Sequence, residues 1–178
     1  TGPVPAFAYG TALFWDFLTT RHTPDLLNTI FTKTITFSEV SDEDWLALID
    51  ETLKDGDDTL ADAFLEFAQW NLATGERAGG MTAYDYAHEL GPLQIEGFGD
   101  TIDDSIRLFP MATQYFRLNH RGGPLYVLVE ENIEDLAIVV LPVSGGALDG
   151  PVLDAKDILT NIPSNSLVSF NEEESFNS

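Results

Sequence analysis

The apolar residues of this chain change their spacing near residue 91, and this change constrains the fold more than any other feature. From Tyr9 to about Leu90 they recur at intervals of three and four residues, which is typical of amphipathic helices. After Gly91 they form short β-prone runs separated by turn residues. The sequence therefore predicts an α+β chain, with an N-terminal helical subdomain followed by a small antiparallel β-sandwich.

Four helices are predicted in the first half. The first covers residues 9–20, and the other three begin within residues 23–25, 41–44 and 57–59. Ser, Thr and Asp at the last three starts can accept hydrogen bonds from the free amides of a first helical turn. Gly75 follows the fourth helix, where a left-handed stop is expected. A fifth, shorter helix is expected over residues 82–90, ending at Gly91-Pro92.

Aromatic residues at helical spacing are predicted to build the core of this half. They are Phe14, Trp15 and Phe17 on the first helix, and Phe64, Phe67 and Trp70 on the fourth. A ligand pocket is the alternative. Aromatic residues at this spacing more often fill a core, so the core is the favoured interpretation.

Four strands are predicted after the boundary, arranged as a meander in which consecutive strands pair. They cover residues 105–109, 114–118, 125–130 and 136–141, and residues 119–124 close one hairpin. The last two strands are apolar on both faces, so both faces are expected to be covered. A second sheet can cover one face, and the helical half or another chain must cover the other. The predicted interface positions are Tyr126, Leu128, Val139 and Leu141.

These patterns divide the chain into three parts. Residues 1–92 form the helical subdomain, residues 93–143 the β-sandwich module, and residues 144–178 a tail. The tail is rich in Gly, Pro, Ser and Asn but contains short apolar runs. It fits extra edge strands and a mobile terminus equally well.

The charge of the chain excludes several classes of partner. It contains 30 Asp and Glu against 8 Lys and Arg, a formal net charge of −22. Such a field repels phosphate backbones and anionic lipid headgroups, so neither nucleic acid nor membrane is an expected partner. The absence of cysteine excludes disulfides, thiolate metal sites and cysteine nucleophiles. No apolar run approaches the roughly 18 residues of a membrane-spanning helix.

Catalytic motifs are incomplete. His88-Glu89 begins a zinc-binding helix motif, but Pro92 stands where the second histidine is required. His22 and His120 lie in turn-like contexts, where solvated side chains are the expected interpretation. The chain has no nucleophile elbow, phosphate loop or dinucleotide fingerprint. No catalytic residue and no cofactor site is therefore predicted.

Acidic clusters offer weak calcium sites. The segment from Asp55 to Glu66 places oxygen donors at calcium-loop spacing, but Leu60 replaces the required glycine, so a helix cap is favoured. The calcium candidates that remain are Asp100, Asp103 and Asp104, with a similar cluster over residues 130–135. Solvated loop charge is the favoured interpretation of both clusters.

Three parts of the chain follow one another in a recognisable order: the run Tyr9-Gly-Thr-Ala-Leu-Phe-Trp-Asp-Phe-Leu18, the run Phe64-Leu-Glu-Phe-Ala-Gln-Trp-Asn-Leu-Ala-Thr-Gly75, and the β-rich residues 108–140. In this order they resemble the region downstream of the catalytic motif in secreted bacterial zinc metalloprotease-like proteins. The resemblance covers about residues 7–143 and implies a helix behind an active site, a second helix and a terminal β-sandwich. The family's His-Glu-x-x-His helix is absent, so no zinc ligand carries over to this chain.

Two functions of different class follow. The favoured one is a secreted or extracellular structural or binding chain, non-catalytic by itself, that associates through apolar β-strands with itself or with another protein chain. The alternative is the C-terminal component of a secreted zinc metalloprotease whose catalytic helix is missing from this chain.

Overall fold

The chain forms two compact units in a computed structural model, Thr1–Asn71 and Leu72–Ser178. The structure describes residues 6–36, 42–78, 84–91, 95–97, 111–117, 125–129, 137–139, 143–144, 147–148, 158–159 and 166–170. The domain limits expected from the sequence, at residues 92 and 143, stay predictions.

Four helices account for most of the described residues. They are α1 (Ala6–Arg21), α2 (Asp25–Thr36), α3 (Asp42–Lys54) and α4 (Leu60–Leu72). All four predicted helices are therefore confirmed, each with a start within a few residues of the expected one. Within the described part of the chain, none of these helices combines the length and apolarity needed to cross a bilayer.

Helix α1 supplies the centre of the helical core. Its Phe17 and Leu18 are completely buried. The Phe17 ring meets the Trp70 ring of α4 edge-on at 5.0 Å between centroids, and the Phe67 ring at 5.5 Å. Such tilted and edge-to-face pairs add to the stabilisation that burial provides. The core interpretation is confirmed for Phe17 of α1 and for Phe67 and Trp70 of α4, which are buried where the two helices meet.

Helix α3 ends in a left-handed turn centred on Asp57. The Asp58 amide donates to the Leu53 carbonyl and the Asp57 amide to the Lys54 carbonyl, each at 3.2 Å. Asp57 has φ 61°. This is the Schellman arrangement, which satisfies the free carbonyls at a helix C-terminus and usually places glycine at the left-handed position. Here the glycine, Gly56, stands one residue earlier.

Thr59 is the N-cap of helix α4. The Thr59 hydroxyl accepts a hydrogen bond from the Asp62 amide at 3.1 Å and donates to the Asp62 carboxylate at 2.6 Å. The Asp50 carboxylate accepts from the Leu60 amide at 2.9 Å. Two first-turn amides are thereby satisfied by side chains. The helix-cap interpretation of this acidic segment is confirmed.

The second unit begins with two short 3₁₀ turns, Gly75–Arg77 and Ala87–Glu89. Gly75 has φ 61°, so the predicted left-handed position is confirmed. The predicted helix over residues 82–90 is wrong, because residues 84–86 are not helical and a single 3₁₀ turn follows them. A helix of two turns is marginal without a well-buried face, and of the turn's residues only Ala87 is buried.

Eight short strands follow among the described residues. They are β1 (Glu96–Gly97), β2 (Phe116–Arg117), β3 (Leu125–Val129), β4 (Ile138–Val139), β5 (Val143–Ser144), β6 (Ala147–Leu148), β7 (Ile158–Leu159) and β8 (Ser166–Phe170). The tail, residues 144–178, therefore contributes strands at residues 147–148, 158–159 and 166–170.

The predicted β-sandwich, and with it the α+β fold class, is wrong. The described strands form four separate pairs, β1–β2, β3–β8, β4–β7 and β5–β6, and none of these pairs gains a third strand. A sandwich needs two extended sheets whose inner faces pack together. Isolated pairs, six of whose strands have two residues each, provide no such sheets, and the described protein is mainly helical.

The predicted meander is also wrong in its pairing. Strand β3 pairs antiparallel with the distant β8 rather than with the preceding strand, and β2 pairs in parallel with β1. Strand β4 pairs with β7 of the tail. Predicted residues 105–109 lie outside the described residues. Local β propensity identified apolar runs but carried no information about which distant run would become the partner.

Candidate functional site

An exposed apolar surface lies on helices α2 and α3. Phe31, Ile35 and Leu46 keep 50%, 84% and 41% of their surface exposed. Phe31 and Ile35 are one helical turn apart on α2, and Leu46 follows the half-buried Trp45 on α3. We call these four residues the α2–α3 patch. Exposed large apolar side chains that cluster are more informative than isolated ones, because clusters mark interaction sites.

Phe31 connects the patch to the core. Its ring centroid lies 6.2 Å from that of Trp45, nearly edge-on, and 6.2 Å from that of Trp15 on α1. Trp15 in turn contacts Phe14, whose ring lies 5.1 Å from Phe67 of α4. One face of Phe31 is thus fixed by aromatic neighbours while half of its surface faces solvent. A surface built in this way is rigid rather than loosely arranged.

Every lysine and arginine of the helical unit is bonded to a carboxylate. The Arg21 Nε lies 2.8 Å from Glu66, and the Lys33 Nζ lies 3.1 Å from Asp55. The third such side chain, Lys54, bonds Asp50 one turn earlier on α3. Surface ion pairs of this kind stabilise weakly, by about 0–1 kcal/mol each. Because all three basic side chains are paired with carboxylates, the remaining carboxylates give the surface of this unit a negative electrostatic potential.

Two of these ion pairs shift the pKa of one of their members. The hydrogen bond to Glu66 raises the pKa of Arg21 above its usual value. The hydrogen bond from Lys54, helped by the Leu60 amide, lowers the pKa of Asp50. Asp50 therefore stays ionised to lower pH than an isolated aspartate, and it holds the start of α4 through that charge.

The predicted interface positions fall on strands of the second unit. In the β3–β8 ladder, Tyr126 lies opposite Ser169 and Leu128 opposite Leu167. Val139 lies on β4 and is half-buried. Leu141 lies outside the described residues. Because the strands carrying Tyr126 and Val139 belong to different ladders, these positions do not share a sheet.

Of the histidines and calcium candidates considered in the sequence, the structure describes His22 and His88. The calcium candidates Asp100, Asp103 and Asp104, and His120, lie outside the described residues, so the calcium site stays a prediction. His22 Nε2 lies 3.2 Å from Asp58 Oδ2, and His88 Nε2 lies 3.8 Å from Glu89. Across the residues that the structure does describe, no three His, Asp or Glu side chains are grouped as metal ligands.

A shallow depression lies on α2. It measures about 370 Å³ and is lined by Asp25, Asn28, Thr29, Thr32 and Lys33. All five residues belong to one helix, and Lys33 is already bonded to Asp55. Binding sites usually combine apolar walls with a few converging polar groups from several elements. This depression is formed by one helix alone and is a weaker candidate than the patch.

Sequence reasoning missed the α2–α3 patch. The run of Leu26, Leu27, Ile30 and Phe31 indicates a buried stripe on α2, and Ile35 continues it by one turn. The available signal was the width of that stripe: residues 30 and 31 point about 100° apart, so both cannot face the same neighbour. Ile30 is buried and Phe31 is half exposed, as that geometry requires.

Comparison with protein families, with curated proteins and with solved structures finds no match to this chain. The resemblance to secreted zinc metalloprotease-like proteins, the extracellular location and the metalloprotease alternative therefore stay predictions. Function has to be argued from the surfaces themselves.

Proposed function

We propose that the chain is a binding protein, non-catalytic by itself, which associates through its apolar strands with a second copy or with another protein chain. The observation that carries the proposal is strand β3. It is a run of five residues, Leu-Tyr-Val-Leu-Val, with no polar position, and it pairs with β8 along its full length. A strand of this composition in an ordered ladder suits association with a further strand.

The edge of this ladder supplies the means of association. Among the described strands, β8 is the one partner of β3, so the other edge of β3 carries backbone groups that no described strand pairs. Exposed, apolar strand edges accept strands from other chains unless charge or proline blocks them. The run 125–129 contains neither. Tyr126 and Leu128 are therefore the proposed interface positions on β3, and Val139 is the one on β4. Leu141, outside the described residues, stays a position predicted from the sequence.

Lysine substitution at the strand tests the proposal. We expect Tyr126→Lys/Leu128→Lys to weaken self-association by at least about tenfold in sedimentation velocity, because lysine on an edge strand opposes pairing. The matched control is Ala47→Lys/Ala112→Lys, which adds the same two charges at exposed positions. By reducing the net negative charge, the control should leave association unchanged or strengthen it.

Hydrogen exchange shows whether the second edge of β3 is open to another chain or covered within its own chain. If the edge of β3 is available, some amides of residues 125–129 exchange rapidly at low protein concentration and become protected as concentration rises. A chain that stays monomeric at all concentrations, with every amide of that run protected, would contradict the proposal, since the edge would then be covered within the chain.

A further inference from the structure

We propose that the α2–α3 patch is a docking site for a basic, amphipathic helical segment of another protein. The patch lies in the helical unit, whereas the association proposed above involves strands of the second unit. The two proposals therefore rest on different residues and can fail separately.

The apolar part of the argument is the fixed exposure of the patch. Ile35 is 84% exposed, and the ring of Phe31 contacts the rings of Trp15 and Trp45. Leu46 extends the surface onto a second helix. Aromatic side chains that are anchored on one side and exposed on the other are typical binding hot spots. Phe31 and Ile35 lie one turn apart on α2, so together they present an apolar strip that the apolar face of a partner helix can cover.

The apolar area of the patch fits a short helical segment better than a second copy of the chain. A stable dimer buries about 800 Å² on each partner. Four side chains on two helices, three of them 41–84% exposed, offer on the order of 300 Å² of apolar surface. That area suits the apolar stripe of one helix. It falls short of what two whole chains need to remain together.

The charge around the patch selects a basic partner. Arg21, Lys33 and Lys54 are the lysines and arginines of residues 1–71, and all three are engaged with carboxylates. Residues 1–71 contain 13 Asp and Glu against these three basic residues. A second copy would bring the same surplus of negative charge and be repelled. A lysine- or arginine-rich segment would be attracted and oriented by it.

A designed peptide provides the probe. It is a fluorescently labelled helix about 16 residues long, since shorter helices are marginal in water, with leucines on one face and lysines on the other. Binding to the full chain is followed by anisotropy at physiological ionic strength. The comparison peptide contains the same residues in scrambled order, so that its charge is equal but its apolar face is lost.

The variants separate apolar docking from charge alone. Ile35→Ser/Leu46→Ser removes exposed apolar groups without changing charge, and Asn28→Ser is the matched control at an exposed position of α2. We expect the amphipathic peptide to bind the double variant at least about tenfold more weakly than it binds the unmodified chain and the control. The scrambled peptide should bind all three alike and weakly.

Three results would overturn the proposal. The first two are equal affinity of the amphipathic peptide for the unmodified chain and the double variant, and absence of binding to the unmodified chain. The third is a dimer that dissociates in sedimentation when the patch is substituted, because a second copy would then be the occupant. Far-UV circular dichroism checks the fold of each variant. If the double variant is unfolded, the single variant Ile35→Ser decides, because a side chain 84% exposed contributes little to folding.

Discussion

Asp57 is unfavourable at its position in both backbone conformation and charge. It occupies the left-handed position of the Schellman turn after α3, with φ 61°. An L-residue with a Cβ is disfavoured there, and a carboxylate at a helix C-terminus also opposes the helix dipole. We expect Asp57→Gly to raise the free energy of unfolding by about 0.5–1 kcal/mol, measured by urea denaturation.

The substitution Asp57→Asn separates the two causes. Asparagine removes the charge but keeps a side chain that tolerates the left-handed region nearly as well as aspartate does. It should therefore gain clearly less than glycine. A gain from asparagine equal to that from glycine would show that electrostatics, rather than backbone strain, limits stability at this turn.

Asp50 gives the loop between α3 and α4 a defined response to acid. Its pKa is lowered in the folded chain by Lys54 and by the Leu60 amide, so near pH 4 the unfolded chain binds more protons than the folded chain does. The stabilisation is present above the pKa of the unfolded state and is lost as pH falls through the folded pKa. We expect Asp50→Asn to destabilise the protein at pH 7 and to differ less from the unmodified chain at pH 3.

The measurement is urea denaturation of both proteins at the two pH values, with Thr29→Ala as a control whose effect should not vary with pH. The Thr29 hydroxyl donates to a backbone carbonyl, the Asp25 oxygen, and carries no charge. A difference between Asp50→Asn and the unmodified chain that is as large at pH 3 as at pH 7 would contradict the role assigned to the carboxylate.

At the level of elements, the helices were predictable because their signals are local. Helix α4 has an N-cap at Thr59, and its apolar residues repeat at helical spacing. Cap chemistry and periodicity act within a few residues, so a single sequence contains them. The turn around Asp57 was missed for a related reason. Glycine is the usual signal for a left-handed residue, and Gly56 stands beside the position rather than on it.

The strands were not predictable in the same way because their partners are distant. Strand β3 pairs with residues more than 35 positions later in the chain, and the apolar pattern of 125–129 is compatible with many partners. Strand stability comes from cross-strand neighbours, which the sequence of one strand does not identify. The same limitation applies to the α2–α3 patch, since whether Phe31 is covered depends on how far the neighbouring helix reaches.

The pairing of β3 with β8 can be tested by a disulfide. Val127 and Val168 lie directly opposite each other, and the chain has no cysteine of its own. We expect Val127→Cys/Val168→Cys to form an intramolecular disulfide under mild oxidation at low protein concentration, because opposite strand positions fall within the Cα separation that a disulfide spans. Intact mass and non-reducing electrophoresis detect it.

The register sets the control for this experiment. In Val127→Cys/Leu167→Cys the second cysteine is one position away, and successive strand residues point to opposite faces. This variant should oxidise much more slowly. Equal rates for the two variants would contradict the register, and a disulfide that forms only between chains would mean that the two strands come from different molecules.

For the whole molecule, the net charge of −22 makes the two proposed associations respond to salt in opposite directions. Self-association through β3 brings together two chains of like charge, so screening should strengthen it. Docking of a basic helix at the α2–α3 patch joins opposite charges, so screening should weaken it. The Debye length falls from about 30 Å at 0.01 M to about 3 Å at 1 M salt, which covers both regimes.

We therefore expect two effects when sodium chloride is raised from about 0.02 M to about 0.5 M. The weight-average sedimentation coefficient of the chain should increase. The affinity for the peptide of leucines and lysines should fall severalfold. Sodium sulfate at equal ionic strength checks that screening, rather than chloride binding, is responsible. If both associations weaken in salt, attraction between opposite charges also holds the chains together, and the basic residues of the second unit, Arg77 among them, become the groups to substitute next. If both strengthen, apolar burial governs the patch as well, and its preference for a basic partner is refuted.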